Sequence, residues 1–282
     1  MCSYCVVPYV RGAERSRNPW SVIKEAEELF RNGYSEVTLL GQNVDSYNWK
    51  KNDETLRFPE LLEKVAMIDP LLRVRFSTSH PKDISDDLLH TIARHENICR
   101  HIHLPAQSGS SRILKLMNRD YDREWYMDRI NAIHRIIPHC SLSTDMITGF
   151  CTETEEDHKE SLSLMEWVGY DFAYMFKYSE RPGTRAARKL ADDVPEKLKS
   201  ERLSEMIALQ SRLSVNSKKS DIGMVFDVLV EGFSKRSGEY LSGRNSQNKV
   251  VVFAAGNYKK GDYVKVLVER CTAATLIGKS IE

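Results

Sequence analysis

With 282 residues, 41% of them apolar, and a formal net charge of +1, the chain has material for one sizeable domain plus a small one, and no bulk charge that would advertise a nucleic-acid partner. No apolar run approaches the length that spans a bilayer, and charged residues stand where a secretory signal would place its apolar stretch, so no membrane role and a cytoplasmic location are expected. Cysteines at 2, 5, 99, 140, 151 and 271 are too scattered in a chain of this size for a disulfide framework, and only the first pair looks chemically organised.

That pair opens the chain. Cys2-x2-Cys5 places two thiols on one tight turn, a spacing shared by zinc knuckles, redox dithiols and iron–sulfur loops. A zinc knuckle wants a second ligand pair, and no other CxxC or CxxH occurs; a redox pair usually follows a strand, and none precedes Cys2. From Asn18, "NPWSVIKEAEELFRNG" reads as a helix with Asn18 as N-cap, Pro19 in the first turn and Gly33 as its stop. The strand "YSEVTLL" follows, and the alternation repeats: helix "PELLEKVAMI", strand "LRVRFST", helix "SDDLLHTIARH", strand "RHIHLP", helix "REWYMDRINAIHRIIP", strand "SLSTDMIT", helix "EEDHKESLSLMEWVG", strand "YDFAYMFKYS". Strands alternating with helices predict βα units and a mainly parallel sheet. In such sheets ligands gather at the carboxyl ends of the strands. Those ends read "GQN" (41–43), "TSHP" (78–81), "PAQSGS" (105–110), "GFCTET" (149–154) and "SERPGT" (179–184), all rich in Gly, Ser, Thr, Gln or Pro, and they point to one shared polar site.

Pro195 begins a long helix with Leu198, Met206, Leu209 and Leu213 on one face, expected as a strut (195–219) closing a first domain of residues 1–219. Residues 220–282 change texture to short alternating strands, with turn signals at Gly232, Ser237-Gly238, Gly256-Asn257 and Gly261-Asp262, which predict a small all-β barrel. This segment holds nine Lys or Arg against seven Asp or Glu. Lys235, Arg236, Arg244 and Lys249 fall beside Tyr240 and Phe253, a combination of charge and stacking that suits RNA, with a merely solvated face as the alternative.

Taken in order, "CSYCVVPYVRGAERSR", "LLGQNVDSY", "FSTSHP", "HLPAQSGSSRILKLMNRDY", "STDMITGF", "YSERPGT" and "VLVEGFSKR…LSGRNSQNKVVVF" resemble the radical S-adenosylmethionine methylthiotransferases, nearest to their tRNA 2-methylthio-isopentenyladenosine branch, with a TRAM domain as the tail. The resemblance implies an α/β fold, a partial (β/α) TIM-type barrel lacking its first strand, followed by a small all-β TRAM barrel. It implies a [4Fe–4S] cluster held by a C-x3-C-x2-C loop, of which Cys2 and Cys5 match the second and third cysteines. The chain is then expected to be amino-terminally truncated, without the domain that carries a second [4Fe–4S] cluster, with residues 1 to 10 disordered or displaced, and catalytically incompetent alone. S-adenosylmethionine would be cradled by Gly41, Gln42, Thr78, Ser79, Gln107, Ser108 and Asp145, and the tail would bind RNA through Lys235, Arg236, Arg244, Lys249 and Phe253. The implied reaction inserts sulfur and transfers a methyl group at carbon 2 of the isopentenyl-modified adenosine next to the anticodon. Its implied partners are the tRNA anticodon stem-loop, an electron donor and a sulfur source, and a monomer is expected. The alternatives are the sister methylthiotransferase acting on a ribosomal protein, an RNA-binding module without catalysis, and a zinc protein. One departure stands out: the family's usual Pro-Gly after "GF" is Cys151-Thr152 here, with Cys151 expected as a small residue filling the loop rather than a spare ligand.

Overall fold

A computed structural model describes residues 2–235 and 237–281. A short helix α1 (Val7–Arg11) precedes α2 (Pro19–Arg31), which begins where expected because the Asn18 side chain accepts hydrogen bonds from the backbone of Trp20 and Ser21. The elements that follow are β1 (Glu36–Leu40), β2 (Asn48–Lys51), β3 (Glu54–Arg57), α3 (Phe58–Ala66), β4 (Arg73–Ser77), α4 (Asp86–Arg94), β5 (His101–His103), α5 (Ser111–Leu116), α6 (Arg123–Ile136), β6 (Ser141–Thr148), α7 (Glu155–Val168), β7 (Phe172–Lys177), α8 (Arg185–Lys189) and α9 (Glu196–Lys219). The strands read from the sequence as parallel are parallel: β1 runs beside β4, with Glu36 opposite Arg73 and Leu40 opposite Ser77, while β6 lies between β5 and β7. An isolated parallel bridge from Val74 to Ile98 pairs β4 with the segment that leads into β5.

Each strand shows its apolar side to the helices. Val37, Val74, Phe76, Ile102, Leu142 and Met146 join one core with the inward faces of α3, α4 and α6. The alternate residues, among them Arg75, His103, Ser143, Asp145 and Tyr174, face the concave side, since successive side chains in a strand point to opposite faces. The β2–β3 hairpin was not expected. It turns on Asn52, whose positive φ of 53° is a conformation Asn tolerates, and it covers Leu56.

The α9 strut is present, but its inner face is more polar than the sequence suggested. Met206 and Leu209 are buried, Leu198 and Leu213 only half-buried, and the rest of the buried face is Lys199, Arg202, Gln210, Ser214 and Lys218. Arg202 meets the fully buried Glu153 at 2.9 Å and the Gln210 side-chain amide donates to the Tyr170 carbonyl, while Arg202 Nε, Glu153 Oε2 and Gln210 Oε1 are buried without a hydrogen-bond partner among the described residues.

Beyond α9, β8 (Val225–Ser234), β9 (Ser237–Arg244), β10 (Val250–Ala254), β11 (Tyr263–Cys271) and β12 (Leu276–Ser280) close into a barrel in the order β10-β12-β11-β8-β9. Gly232 does not end a strand as expected: it sits in a bulge inside β8, where its φ of +147° suits glycine. Gly243 is required for another reason, because a Cβ there would lie 2.1 Å from the Leu229 carbonyl oxygen across the β8–β9 pair.

Candidate functional site

The opening loop is held in place. Ser3 N donates to the Met117 carbonyl at 2.8 Å, Ser3 Oγ to the Leu116 carbonyl at 2.8 Å, and Ala186 N to the Ser3 carbonyl at 2.7 Å, while the Tyr4 ring meets Phe150 edge-on. These bonds hold residues 2–5 against the rest of the domain, contrary to the displacement expected for the start of the chain; Met1 lies outside the described residues. The turn itself is closed by Cys5 N donating to the Cys2 carbonyl at 3.3 Å, and both thiols are half-buried. Arg119 Nη1 lies 3.0 Å from Cys2 Sγ, with Nε on the Tyr121 hydroxyl at 2.9 Å and Nη2 on the Pro105 carbonyl at 3.1 Å. A buried guanidinium thus ties the turn to the loop after β5.

A radical cluster takes three cysteines. Among the described residues no group of three His, Cys, Asp or Glu side chains is placed to hold a metal ion. Cys99, Cys140 and Cys151 are buried, and burial pushes the Cys99 thiol up to about 11 and the Cys140 thiol up to about 12. Cys151 packs with Ile113, Met117, Phe150, Tyr178 and Ala186, the loop filler expected of it. Cys2 and Cys5 stand together as two half-buried thiols on the opening turn.

The strand-end residues divide into groups. Gly41 and Gln42 line a cavity of about 760 Å³ between β1, α2 and the segment from Ala13 to Arg17. Gly41 N donates to the Ser77 carbonyl at 3.0 Å, and a Cβ on Gly41 would press on Val44 at 3.1 Å. Thr78 and Asp145 line a second cavity, of about 950 Å³, on the concave side. Ser79 and Ser108 are committed elsewhere: Ser79 Oγ donates to Asp45 Oδ1 at 3.2 Å, and Ser108 Oγ lies 3.3 Å from Ser161 Oγ on α7 while accepting from Ser110 N. Gln107 is buried with φ +68° and bridges to β6 through its backbone, its N donating to the Asp145 carbonyl and its carbonyl accepting from Ile147 N.

Several groups the sequence reading passed over belong to the same ends. Asp45 accepts from Ser79 Oγ and from His80 N, and burial holds its carboxyl up at about 7. Burial, with the nearby Arg119 charge, lowers His80 to about 4, so its ring is neutral at pH 7 and packs edge-on to Tyr121 at 5.7 Å. Asn43 donates to Asp83 at 2.7 Å. On the concave face, His103 Nε2 approaches Asp145 Oδ1 at 3.4 Å, and the Ser143 hydroxyl stands 2.9 Å from both His101 Nε2 and His103 Nδ1. A hydroxyl has one proton, so Ser143 donates to one ring and accepts from the other. Burial lowers His101 to about 4.

The expected RNA-binding residues fare unevenly. Phe253 is fully buried in the barrel core beside Val228, Val251 and Val266, so it offers no stacking face. Lys249 is also corrected: its Nζ lies 2.7 Å from Asp221, 2.9 Å from Asp171 and 2.9 Å from Ser217 Oγ, which spends its charge inside the protein. Arg244 is half-exposed and pairs with Glu231 at 3.1 Å; Lys235 is exposed, and Arg236 lies outside the described residues. Alternation could have flagged Phe253, since Val251 and Phe253 share one face of β10. Nothing local flags Lys249, whose partner Asp171 is distant in sequence.

Comparison with known proteins follows the same division. The Radical SAM superfamily matches residues 1–165 and the TRAM domain residues 219–281. The tRNA-2-methylthio-N(6)-dimethylallyladenosine synthases of Parabacteroides distasonis and Phocaeicola vulgatus are each 59% identical, over 281 and 280 residues, which is 100% and 99% of this chain but 62% and 61% of theirs. The chain thus spans about three fifths of the length of the curated relatives it matches. Among solved structures, the coproporphyrinogen III oxidase (HemN) of Escherichia coli, a radical SAM enzyme, is similar with a TM-score of 0.53 and 16% identity, covering 83% of this chain and 61% of that one, which shows a shared fold.

Proposed function

We propose, for a chain that belongs to the radical SAM superfamily and carries a TRAM domain, the function of a tRNA methylthiotransferase: sulfur insertion and methyl transfer at carbon 2 of an isopentenyl-modified adenosine beside the anticodon. One observation carries the proposal: near-60% identity to two tRNA-2-methylthio-N(6)-dimethylallyladenosine synthases over almost the whole chain. The superfamily implies a [4Fe–4S] cluster and S-adenosylmethionine, which together supply radical chemistry when bound. The parts assigned to this chain are holding and orientation. Cys2 and Cys5 would hold the cluster, on a turn fixed by Arg119 and by the backbone bonds of Ser3. Gly41, Gln42, Thr78 and Asp145 would receive the cofactor from the two cavities, with Gln107 as backbone support. The division falls at 219/220, and the barrel beyond it meets the anticodon stem-loop with Lys235, Arg236 and Arg244 as its candidate contacts. An electron donor, a sulfur source, a monomeric state and a cytoplasmic setting complete the proposal. No helix among the described residues is long and apolar enough to cross a membrane.

The test is genetic and chemical. Deleting the gene that encodes this chain should remove the methylthio group from isopentenyladenosine in bulk tRNA, read by mass spectrometry of nucleosides, and restoring the gene should return it. Unchanged tRNA together with loss of a methylthio group from a ribosomal protein would move the assignment to the sister enzyme.

A further inference from the structure

The turn that carries Cys2 and Cys5 is gripped by two short helices, α5 through the Leu116 and Met117 carbonyls at its end and α8 through Ala186 N, which donates to the Ser3 carbonyl. The exposed charge of those helices is of one sign. Residues 181–189 contain Arg181, Arg185, Arg188 and Lys189 and no acidic residue, all four cations are exposed, and Lys115 stands exposed on α5. Arg185, Arg188 and Lys189 are spaced i, i+3 and i+4 and so share one side of α8, whose buried residue is Ala186. Arg185 Nη1 donates to Asn118 Oδ1 at 3.0 Å, which ties α8 to the end of α5.

Elsewhere many surface cations are neutralised on the spot, as Arg57 is by Glu60, Arg129 by Asp86 and Lys279 by Glu269. Among the described residues none of the five cations on α5, α8 and the loop before it pairs with a carboxylate, and acids close by are taken by others: Asp192 by Lys199, Asp120 by Lys82, Asp157 by Arg112. Glu180, just ahead of the run, is the exposed acid that remains beside it. Unneutralised charge of one sign steers a partner of the other sign. The patch also lies at the far end of the strands from the TRAM barrel. That barrel is fastened where strands begin, Ser35 to Gly261, Leu71 to Tyr263, Arg73 to Arg244, Arg100 to Ser246 and Asp171 to Lys249, whereas α5 and α8 lie beyond the carboxyl ends of β5 and β7. RNA held on the TRAM barrel is thus at one end of the strands, and the cations await a different partner at the other.

We propose that the basic surface of α8 and α5 docks a small acidic electron-transfer protein, whose reduced flavin or iron–sulfur centre passes one electron to the group held at the opening turn. The partner is oxidised by one electron, that group is reduced by one, and no covalent bond of either protein changes. The inference rests on the reading of the chain as a radical SAM protein supplied by an outside electron donor, and adds where the donor sits. A single hydrogen bond, Ala186 N to the Ser3 carbonyl at 2.7 Å, separates the docking helix from the turn, so a partner seated there stands close to the turn without entering either cavity. Electron-transfer partners meet through small interfaces, below about 1,200 Å², in which opposite charge governs the approach and its salt sensitivity.

The experiment titrates the chain with two acidic probes, oxidised flavodoxin and an oxidised [2Fe–2S] ferredoxin, at low and at raised salt, and reads binding without turnover. Arg181→Glu, Arg188→Glu and Lys189→Glu combined should weaken binding of at least one probe roughly 10- to 100-fold and flatten its salt dependence, since three exposed pairs are lost and three repulsions replace them. The three side chains are exposed and Arg185 keeps its bond to Asn118, so thermal unfolding should match the parent. Lys50→Glu, Lys51→Glu and Arg135→Glu combined make the same charge change on exposed residues of β2 and α6 and should bind the probes as the parent does. Equal losses in the two variants, or no salt-sensitive binding of either probe by the parent, overturn the docking surface. So does an α8 variant that binds the probes as the parent does but has lost affinity for an anticodon stem-loop RNA, which would give the surface to RNA. A parent that binds a probe through α8 and binds no RNA keeps the docking surface and sinks the tRNA reading instead.

Discussion

Replacing Lys249 with methionine tests whether that residue serves the RNA or the fold. Its ammonium sits between the Asp171 and Asp221 carboxylates at 2.9 and 2.7 Å, in side chains only 10%, 19% and 15% exposed. Removing one member of a buried ion cluster leaves the others uncompensated, at a cost of about 3–5 kcal/mol, a large share of the ~5–15 kcal/mol that keeps a typical domain folded. Lys218 acts on both carboxylates and offsets part of that loss, which puts the expectation near the lower end. The pH dependence has a definite sign. In the parent, burial raises Asp171 but Lys249 and Ser217 outweigh it and hold the carboxyl below its ordinary value, so its stabilisation is present at neutral pH and lost as pH falls through that lowered value. In the variant burial acts on both carboxyls with the Lys249 charge gone, so their ionisation weakens the fold as pH rises. The gap between parent and variant should therefore be widest near neutrality and should close on acidification. Urea unfolding followed by circular dichroism at several pH values measures it, and Lys249→Met combined with Asp221→Asn should recover part of the loss. A Lys249→Met protein as stable as the parent, whose RNA affinity has lost about one unit of salt slope, would refute the structural role and return Lys249 to the phosphates.

Phe253→Ala should cost about 3–5 kcal/mol by opening a cavity in the closed barrel, while the protein that remains folded keeps its RNA affinity; thermal unfolding and a binding titration separate the two. Asp45→Asn should gain stability over the parent as pH rises from about 4 to about 7 and hold the gain above that, because the folded parent keeps the Asp45 proton up to about 7 against an ordinary 3.8, and ionising it there works against the fold. Urea midpoints across that window check it, and a constant difference between the two proteins would overturn the assignment of a buried carboxyl.

The parallel strands and the helices between them could be read in the sequence because each sits on its own local signal. Asn18 caps α2, Ser85 caps α4, and the strands carry apolar residues on the side that meets the helices. The β2–β3 hairpin escaped because its strands are short and largely exposed, with little apolar alternation to mark them. The site was legible only in part. Cys2 and Cys5 declare themselves by spacing, whereas Arg119, which binds the Cys2 sulfur, is one arginine among many until the chain folds. Ser79 and Ser108 show the opposite failure: strand-end position made them cofactor candidates, and tertiary partners, Asp45 and Ser161, claimed their hydroxyls. The alternation of Phe172, Tyr174 and Phe176 was in plain view, but period two reports only that residues share a face, and whether that face is core or cavity depends on what stands opposite.

How the small barrel is fastened bears on what the larger one can do. Arg73, 5% exposed, donates to the Arg244 carbonyl at 2.6 Å and to the Asp227 carbonyl at 3.2 Å; Arg75 donates to the Asn245 carbonyl at 3.2 Å; and Tyr263 donates to the Leu71 carbonyl at 3.1 Å. The docking therefore uses both the TRAM backbone, whose carbonyls at Arg244, Asp227 and Asn245 accept these bonds, and TRAM side chains, among them Tyr263 and the Lys249 ammonium paired with Asp171. Charged donors to neutral acceptors are among the stronger hydrogen bonds, and here they are largely screened from water. A barrel fixed this way presents the loop containing Gln247 to the cavity in one position. On the proposed RNA-modifying reading, RNA held on the outer surface of this barrel would lie at a set distance from the concave cavity rather than reach it by a tethered search.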